Sequence, residues 1–154
     1  MTLKKFTQPF PSLKEKILFN NQWLTQTEAD RLYNKMLLMP WQIEEIKMFG
    51  KKIKVPRRVF WVGDSNANYR YANTTHTPTP WSNELSDLRN RIHVELGLEF
   101  NSVLGNFYRD GRDYMGWHRD NEPELGLNPI ILSISLGAER RFCLKASRLM
   151  NNMS

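Results

Sequence analysis

The run NFYRDGRDYMGWHRDNEPEL, residues 106–125, constrains the fold more than any other part of the chain. An Asp110-Gly111 pair sits between two runs with strand character, Phe100 to Arg109 and Tyr114 to Asp120. Asp-Gly in that setting signals a tight reversal, because glycine accepts the positive φ that such turns demand. The chain is therefore expected to double back at this point. On a strand, residues two apart project to the same face. Asn106 and Tyr108 before the turn form one such pair, and His118 and Asp120 after it form another.

The rest of the pattern reads as helices first and strands afterwards. Thr25-Gln-Thr-Glu28 has the form of a capping box, with Leu24 placed to staple against Ala29. The helix it opens runs through Leu32, Met36 and Leu37, and Pro40 ends it. Trp41 to Asp64 reads as two strands joined at a glycine turn in Met48-Phe49-Gly50-Lys51. Pro56 within the second strand argues for an edge position or a bend. Asp64 to Thr79 reads as a loop carrying Tyr69 and Tyr71. Thr79-Pro80-Trp81 is expected to open a second helix, with Thr79 as N-cap. Leu85, Leu88, Ile92 and Leu96 recur at helical spacing, and Gly97 supplies the stop.

Beyond Gly97 only strand signals appear. Ile130 to Leu136 alternates, Gly137 to Arg140 reads as a turn, and Arg141 to Lys145 as a further short strand. The expected class is α+β: a jelly roll, or double-stranded β-helix, supported by N-terminal helices and incomplete in its strand count. Three parts are expected: a loose basic arm over 1–22 with a short strand near Ile17-Leu18-Phe19, a helix-containing part over 23–98, and a partial core over 99–154.

Composition narrows the setting. A chain of 154 residues, 40% hydrophobic, suits one folded domain. The net charge of +6 favours an acidic partner such as nucleic acid. Cys143 is the single cysteine, which fits a reducing compartment. The N-terminal residues contain no apolar secretion signal, and the apolar runs are too short to span a bilayer. An intracellular protein, cytoplasmic or nuclear, with no membrane partner is expected.

An imidazole and a carboxylate on one face can hold a single metal ion. They are two of the three donors in the facial triad of non-haem Fe(II) oxygenases, which leaves three metal positions open. The same pair also fits an ordinary polar strand end near a turn. No histidine follows Asp120, and His76 and His93 both precede the pair. Ser133 and Ser135 have no partner for nucleophilic catalysis, and no residue is assigned such a role.

The wider string resolves the choice. Asn106-Phe-Tyr108, Arg109-Asp110-Gly111 and Gly116-Trp117-His118-Arg119-Asp120-Asn121-Glu122 resemble the AlkB family of Fe(II)- and 2-oxoglutarate-dependent nucleic-acid demethylases. Pro129 to Ala138, Arg141-Phe142, Pro56-Arg57-Arg58, Gly63-Asp64, Tyr69-Arg70-Tyr71 and Pro80-Trp81 extend the likeness over roughly residues 40–145. The resemblance implies that His118 and Asp120 hold Fe(II), and that Asn106 and Tyr108 hold 2-oxoglutarate. It implies that Tyr71 stacks on the target base and that Asn121 and Glu122 shape the base pocket. Met48-Phe49-Gly50-Lys51 looks like the finger loop of the duplex-DNA branch. There Phe49 would wedge into the gap left by an extruded base, Gly50 would allow the turn, and Lys51 would meet phosphate. Read without the resemblance, the same residues make a hairpin whose Phe49 packs inward beside a solvated basic face. The implied substrates are 1-methyladenine and 3-methylcytosine in DNA, with RNA as a further substrate class.

The family pattern continues past the end of this sequence with a distal histidine and arginines that anchor 2-oxoglutarate. Arg140, Arg141 and Arg148 are the only arginines after Asp120, and none is assigned to that role. The expectation is that this polypeptide holds iron weakly and turns over little, unless another chain supplies the missing parts. The alternative is a non-catalytic fragment that binds nucleic acid.

Overall fold

A computed structural model of the protein describes residues 17–48, 50–67, 69–71, 74–120, 123–126 and 129–144. Two helices and five strands are formed among them, in the order α1 (Gln26–Met36), β1 (Gln42–Met48), β2 (Lys51–Gly63), β3 (Tyr69–Tyr71), β4 (Thr74–His76), α2 (Asn83–Leu96) and β5 (Ser102–Phe107). A short 3-10 turn, Pro123–Leu125, follows.

The capping box opens α1 as expected. Thr25 Oγ1 accepts from the Glu28 amide, while the Glu28 carboxylate accepts from the Thr25 amide at 2.7 Å. The Thr25 amide, aided by its hydroxyl and by Arg91, holds the Glu28 carboxyl below the usual carboxylate range. The helix stops at Met36, before Pro40. The Trp41 indole N–H donates to the Met36 carbonyl at 2.8 Å, alongside the Met39 amide, which caps the helix end and swings the indole into the core. Arg91 of α2 joins the helices to the preceding chain. It donates to the Trp23 carbonyl and to Glu28 and Glu95, and its guanidinium lies 4.5 Å from the Trp23 ring centre.

β1, β2 and β5 form an antiparallel sheet in the order β1-β2-β5. Gly50, at φ 77°, makes the β1–β2 reversal, where Met48 pairs with Lys51. β2 is the central strand, so Pro56 is not on an edge over its whole length. Two features accommodate it. The β1 register slips between Ile43 and Glu45, opposite the proline, and β5 pairs with β2 only from Arg58 onward. The tip of the β1–β2 ribbon therefore extends beyond the third strand, and the missing proline N–H falls where the ladder is already broken.

Register assigns the faces. Phe60 and Val62 of β2 face Leu85 of α2, packed by Met36, Met39, Trp41, Trp81, Leu88 and Val103. Phe60 pairs across the sheet with Gly105 and occupies the space a side chain there would need. Trp41 meets Phe60 edge-on at 4.6 Å and lies 5.3 Å from Phe107. Trp41, Phe60 and Trp81 are thus core-facing. Asp64, at the end of β2, accepts from the Trp81 indole at 2.8 Å and from Arg89 at 3.0 Å, which ties the sheet to α2.

Several expectations are corrected. Ser82, not Thr79, caps α2 and accepts from the Leu85 amide. The Thr79 backbone is engaged instead beside β2, donating to the Trp61 carbonyl and accepting from the Gly63 amide. Gly97, at φ 69°, ends α2 as expected. The segment between Asp64 and Thr79 is not all loop, since β3 and β4 pair within it. No described residue in 114–120 or 129–144 belongs to a strand. The alternation of Ile130 to Leu136 nevertheless survives as burial: Leu132, Ile134 and Leu136 are half-buried, while Ile131, Ser133 and Ser135 are exposed. A strand needs a hydrogen-bonded neighbour as well as the right period. In the arm, Phe19 makes an isolated bridge and no strand, and residues 1–16 lie outside the described part.

Candidate metal and co-substrate site

The face of the sheet opposite the core carries Val55, Arg57 and Val59 from β2, with Asn106 from β5 directly across from Val59. Tyr108 follows two residues on, just past the end of β5. Register puts Asn106 on this face, and Tyr108 stands past the last paired residue. The Arg57 side chain is buried, and its Nε donates to Asn106 Oδ1 at 2.7 Å.

The turn after Tyr108 is held by a residue that sequence reasoning did not single out. Asp113 is buried and accepts from the Arg109 amide at 2.9 Å and from Arg109 Nε and Nη2 at 2.7 and 2.8 Å. These donors hold the Asp113 carboxyl well below the usual carboxylate range. Asp110 shapes the tip of the turn by accepting from the Arg112 amide at 2.8 Å. Arg140 was likewise missed. It donates to the carbonyls of Asp110 and Asp113, and its guanidinium lies 4.3 Å from the centre of the Tyr108 ring. The sequence signal for both was available: an i, i+4 Arg-Asp pair across an Asp-Gly turn, and an arginine in the next reversal.

Past the turn, the Tyr114 amide donates to the Pro56 carbonyl at 2.9 Å, which sets this segment beside β2 just beyond the end of its pairing with β5. His118 and Asp120 follow, and they converge: Nε2 of His118 stands 3.3 Å from Oδ1 of Asp120. Their convergence does not arise from a strand. His118 Nδ1 lies 3.0 Å from the Gly116 carbonyl. A carbonyl only accepts, so Nδ1 carries a proton, and whenever the ring holds no second proton the lone pair of Nε2 faces Asp120. Two acceptor atoms then face one another, an arrangement that calls for a proton or a metal cation between them. Two donors occupying neighbouring positions on one octahedral ion at about 2.1 Å stand about 3 Å apart, so the observed spacing fits. A ligand histidine whose other nitrogen donates to a backbone carbonyl has its ring fixed for metal binding. Both side chains are about half exposed, which leaves the position open to solvent.

Among the described residues no group of three or more His, Cys, Asp and Glu is placed to hold a metal ion. His93 instead faces Glu99 at 3.7 Å, and His76 is placed only by its backbone in β4. Of the expected nucleic-acid contacts, Gly50 makes the hairpin turn and Lys51 is exposed at its tip. Lys52 and Lys54 are exposed beside it. Phe49, Asn121 and Glu122 lie outside the described residues, and Tyr71 is described only in its backbone, paired with Thr74. No helix among the described residues is long and apolar enough to cross a membrane.

Comparison with known proteins identifies the family. The profile of the family described as the 2OG-Fe(II) oxygenase superfamily matches residues 16–153. The chain is 36% identical over 124 residues to the DNA oxidative demethylase ALKBH2 of Bos taurus, covering 78% of this chain and 45% of that protein. ALKBH2 of Mus musculus matches at 36% over the same share of this chain and 52% of its own length. The alpha-ketoglutarate-dependent dioxygenase alkB homolog 3 of Rattus norvegicus is 46% identical over 88 residues, 56% of this chain and 29% of that protein. The chain thus spans about half the length, or less, of these curated relatives. Members of the matched family use Fe(II) and 2-oxoglutarate. The chain belongs to the 2OG-Fe(II) oxygenase superfamily, and within it to the AlkB family.

Proposed function

We propose that this chain carries the metal- and co-substrate-binding core of an AlkB-like oxidative demethylase acting on N-alkylated bases. The observation that carries the reading is the convergence of His118 Nε2 and Asp120 Oδ1 at 3.3 Å, with the ring fixed by the Gly116 carbonyl. In this scheme His118 and Asp120 hold Fe(II). Asn106 and Tyr108 hold 2-oxoglutarate from the adjoining sheet face. When bound, iron and 2-oxoglutarate supply the oxygen activation that hydroxylates an N-methyl group, whose adduct then releases formaldehyde. The three-stranded sheet belongs to a jelly roll, of which the described strands make a part.

The nucleic acid is met from the β1–β2 ribbon. Its tip extends past β5 and exposes Lys51, Lys52 and Lys54, which suits phosphate contact. Phe49 serves as the wedge at that tip. Tyr71, Asn121 and Glu122 form the base pocket. DNA bearing 1-methyladenine or 3-methylcytosine is the substrate, and methylated RNA a further one. Such a substrate places the protein in the cytoplasm or nucleus.

The second reading is binding without turnover, favoured by the pair of metal donors without a third among the described residues. One assay separates the two. The 154-residue chain is mixed with methylated oligonucleotide, Fe(II) and 2-oxoglutarate. Formaldehyde release that disappears in His118→Ala supports the demethylase. Salt-dependent oligonucleotide binding with no formaldehyde supports the binding fragment.

A further inference from the structure

Arg57 is only 5% exposed, on the sheet face it shares with the buried Val55 and Val59. Packing alone calls for another apolar residue there, since burying a guanidinium without a strong partner is costly. Among the described residues its hydrogen bond goes to one atom, Oδ1 of Asn106, at 2.7 Å. The two residues stand on adjacent strands, with Asn106 paired to Val59, two positions along from Arg57.

The chemistry of this bond fixes a direction. A guanidinium has donors and no acceptor, so it takes the oxygen end of the Asn106 amide. The nitrogen end must then point away, toward the open side, and Asn106 is itself exposed. An asparagine free to rotate offers an oxygen or a nitrogen to a ligand. One tied to a buried arginine offers the nitrogen alone. That polarity selects an anion and disfavours a donor ligand, because the presented group carries two N–H bonds and no lone pair.

We propose that Arg57 is a positioning residue: it locks the Asn106 amide so that its NH2 faces the ligand as a donor for a carboxylate or keto oxygen. The inference rests on the reading of Asn106 as a 2-oxoglutarate residue and adds the residue that sets its orientation. Arg57 acts through Asn106 and need not touch the ligand. The buried positive charge beneath the amide adds to the attraction for a dianion.

The test uses the isotope-labelled full chain without metal and has two readouts. The first is hydrogen exchange at Arg57 Nε–H, compared with Asn106→Ala. The second is titration with 2-oxoglutarate, followed at the Asn106 side-chain amide in the wild type and at backbone amides of β5 in the variants. The wild type is expected to show a protected Nε–H and a 2-oxoglutarate-dependent shift of the Asn106 NH2. Arg57→Met should bind 2-oxoglutarate about tenfold more weakly, equivalent to about 1.4 kcal/mol. Arg57→Lys, which keeps a donor, should recover part of that loss. Asn106→Asp keeps an acceptor for Arg57 and so preserves the fold, but has no N–H to offer; it should lose at least tenfold, whether or not Arg57→Met folds. Equal affinity in wild type and Asn106→Asp, or an Nε–H as labile in wild type as in Asn106→Ala, overturns the proposal. A protected Nε–H with no wild-type response to 2-oxoglutarate instead overturns the co-substrate reading on which it rests.

Discussion

Gly105→Ala tests the register that brings the site together. A methyl group at Gly105 would sit 2.3, 2.5 and 2.6 Å from three atoms of the Phe60 ring. Ordinary carbon–carbon contact begins near 3.5 Å, so the ring must retreat by about 1 Å. It has little room, because Phe60 is 6% exposed and Trp41 stands edge-on against it at 4.6 Å. Overpacking of this kind costs about 1–3 kcal/mol. For a domain of this size that lowers Tm by about 2–12 °C. A thermal melt followed by circular dichroism measures it. Phe60→Leu, which removes the ring, should make the alanine less costly. The two changes should therefore couple by at least about 0.5 kcal/mol in a double-mutant cycle. Since Asn106 is the next residue of β5, the variant should also disturb the Arg57–Asn106 bond. A Gly105→Ala protein that melts at the wild-type temperature, or strictly additive effects with Phe60→Leu, would show that β2 and β5 are not paired as described.

Further outcomes test the site and its supports. Mn(II) should broaden the nuclear resonances of the exposed Trp117 indole beside His118, weakly and reversibly, and either His118→Ala or Asp120→Asn should abolish the effect. Broadening that persists in both variants would place the metal elsewhere. Arg109 holds the Asp113 carboxyl below its ordinary value, so the folded chain binds that proton less readily than the unfolded chain. The resulting stability is fully present above about pH 4 and is lost as pH falls from there toward the folded-state value. The Tm difference between wild type and Asp113→Asn should therefore be flat from about pH 8 to 5 and shrink below about pH 4; a difference that grows on acidification refutes the assignment. Changing Lys51 and Lys52 to glutamine should lower the salt dependence of oligonucleotide binding by about one unit of slope for each phosphate no longer neutralised, and an unchanged slope would remove the ribbon tip from the interface.

Local chemistry was legible in the sequence wherever a few neighbouring residues decide the outcome. Thr25 and Glu28 cap a helix because each satisfies the other's backbone, and no distant residue is needed. Gly50 and Gly97 end their elements because a positive φ costs glycine little. The pairing of His118 with Asp120 was also legible, although for another reason than the one the sequence suggested. Strand alternation would place them on one face; the structure instead orients His118 through the Gly116 carbonyl.

Tertiary structure decided what depends on partners remote in sequence. Thr79 has the composition of a helix cap, yet its backbone is engaged with β2, and the cap passes to Ser82. Ile130 to Leu136 keeps its alternating burial without forming a ladder, because the period of a side chain is a local property and a hydrogen-bonded neighbour is not. The sequence marks Asp113 by its i, i+4 spacing from Arg109, but it does not show which atoms Arg57 and Arg140 meet. Folding places Arg57 beneath Asn106, 49 positions away, and Arg140 over the Tyr108 ring. The sequence by itself determined which polar side chains this chain brings to the candidate site. Only the fold decided which of those side chains are fixed in direction, since direction is imposed by buried contacts between strands that no short segment contains.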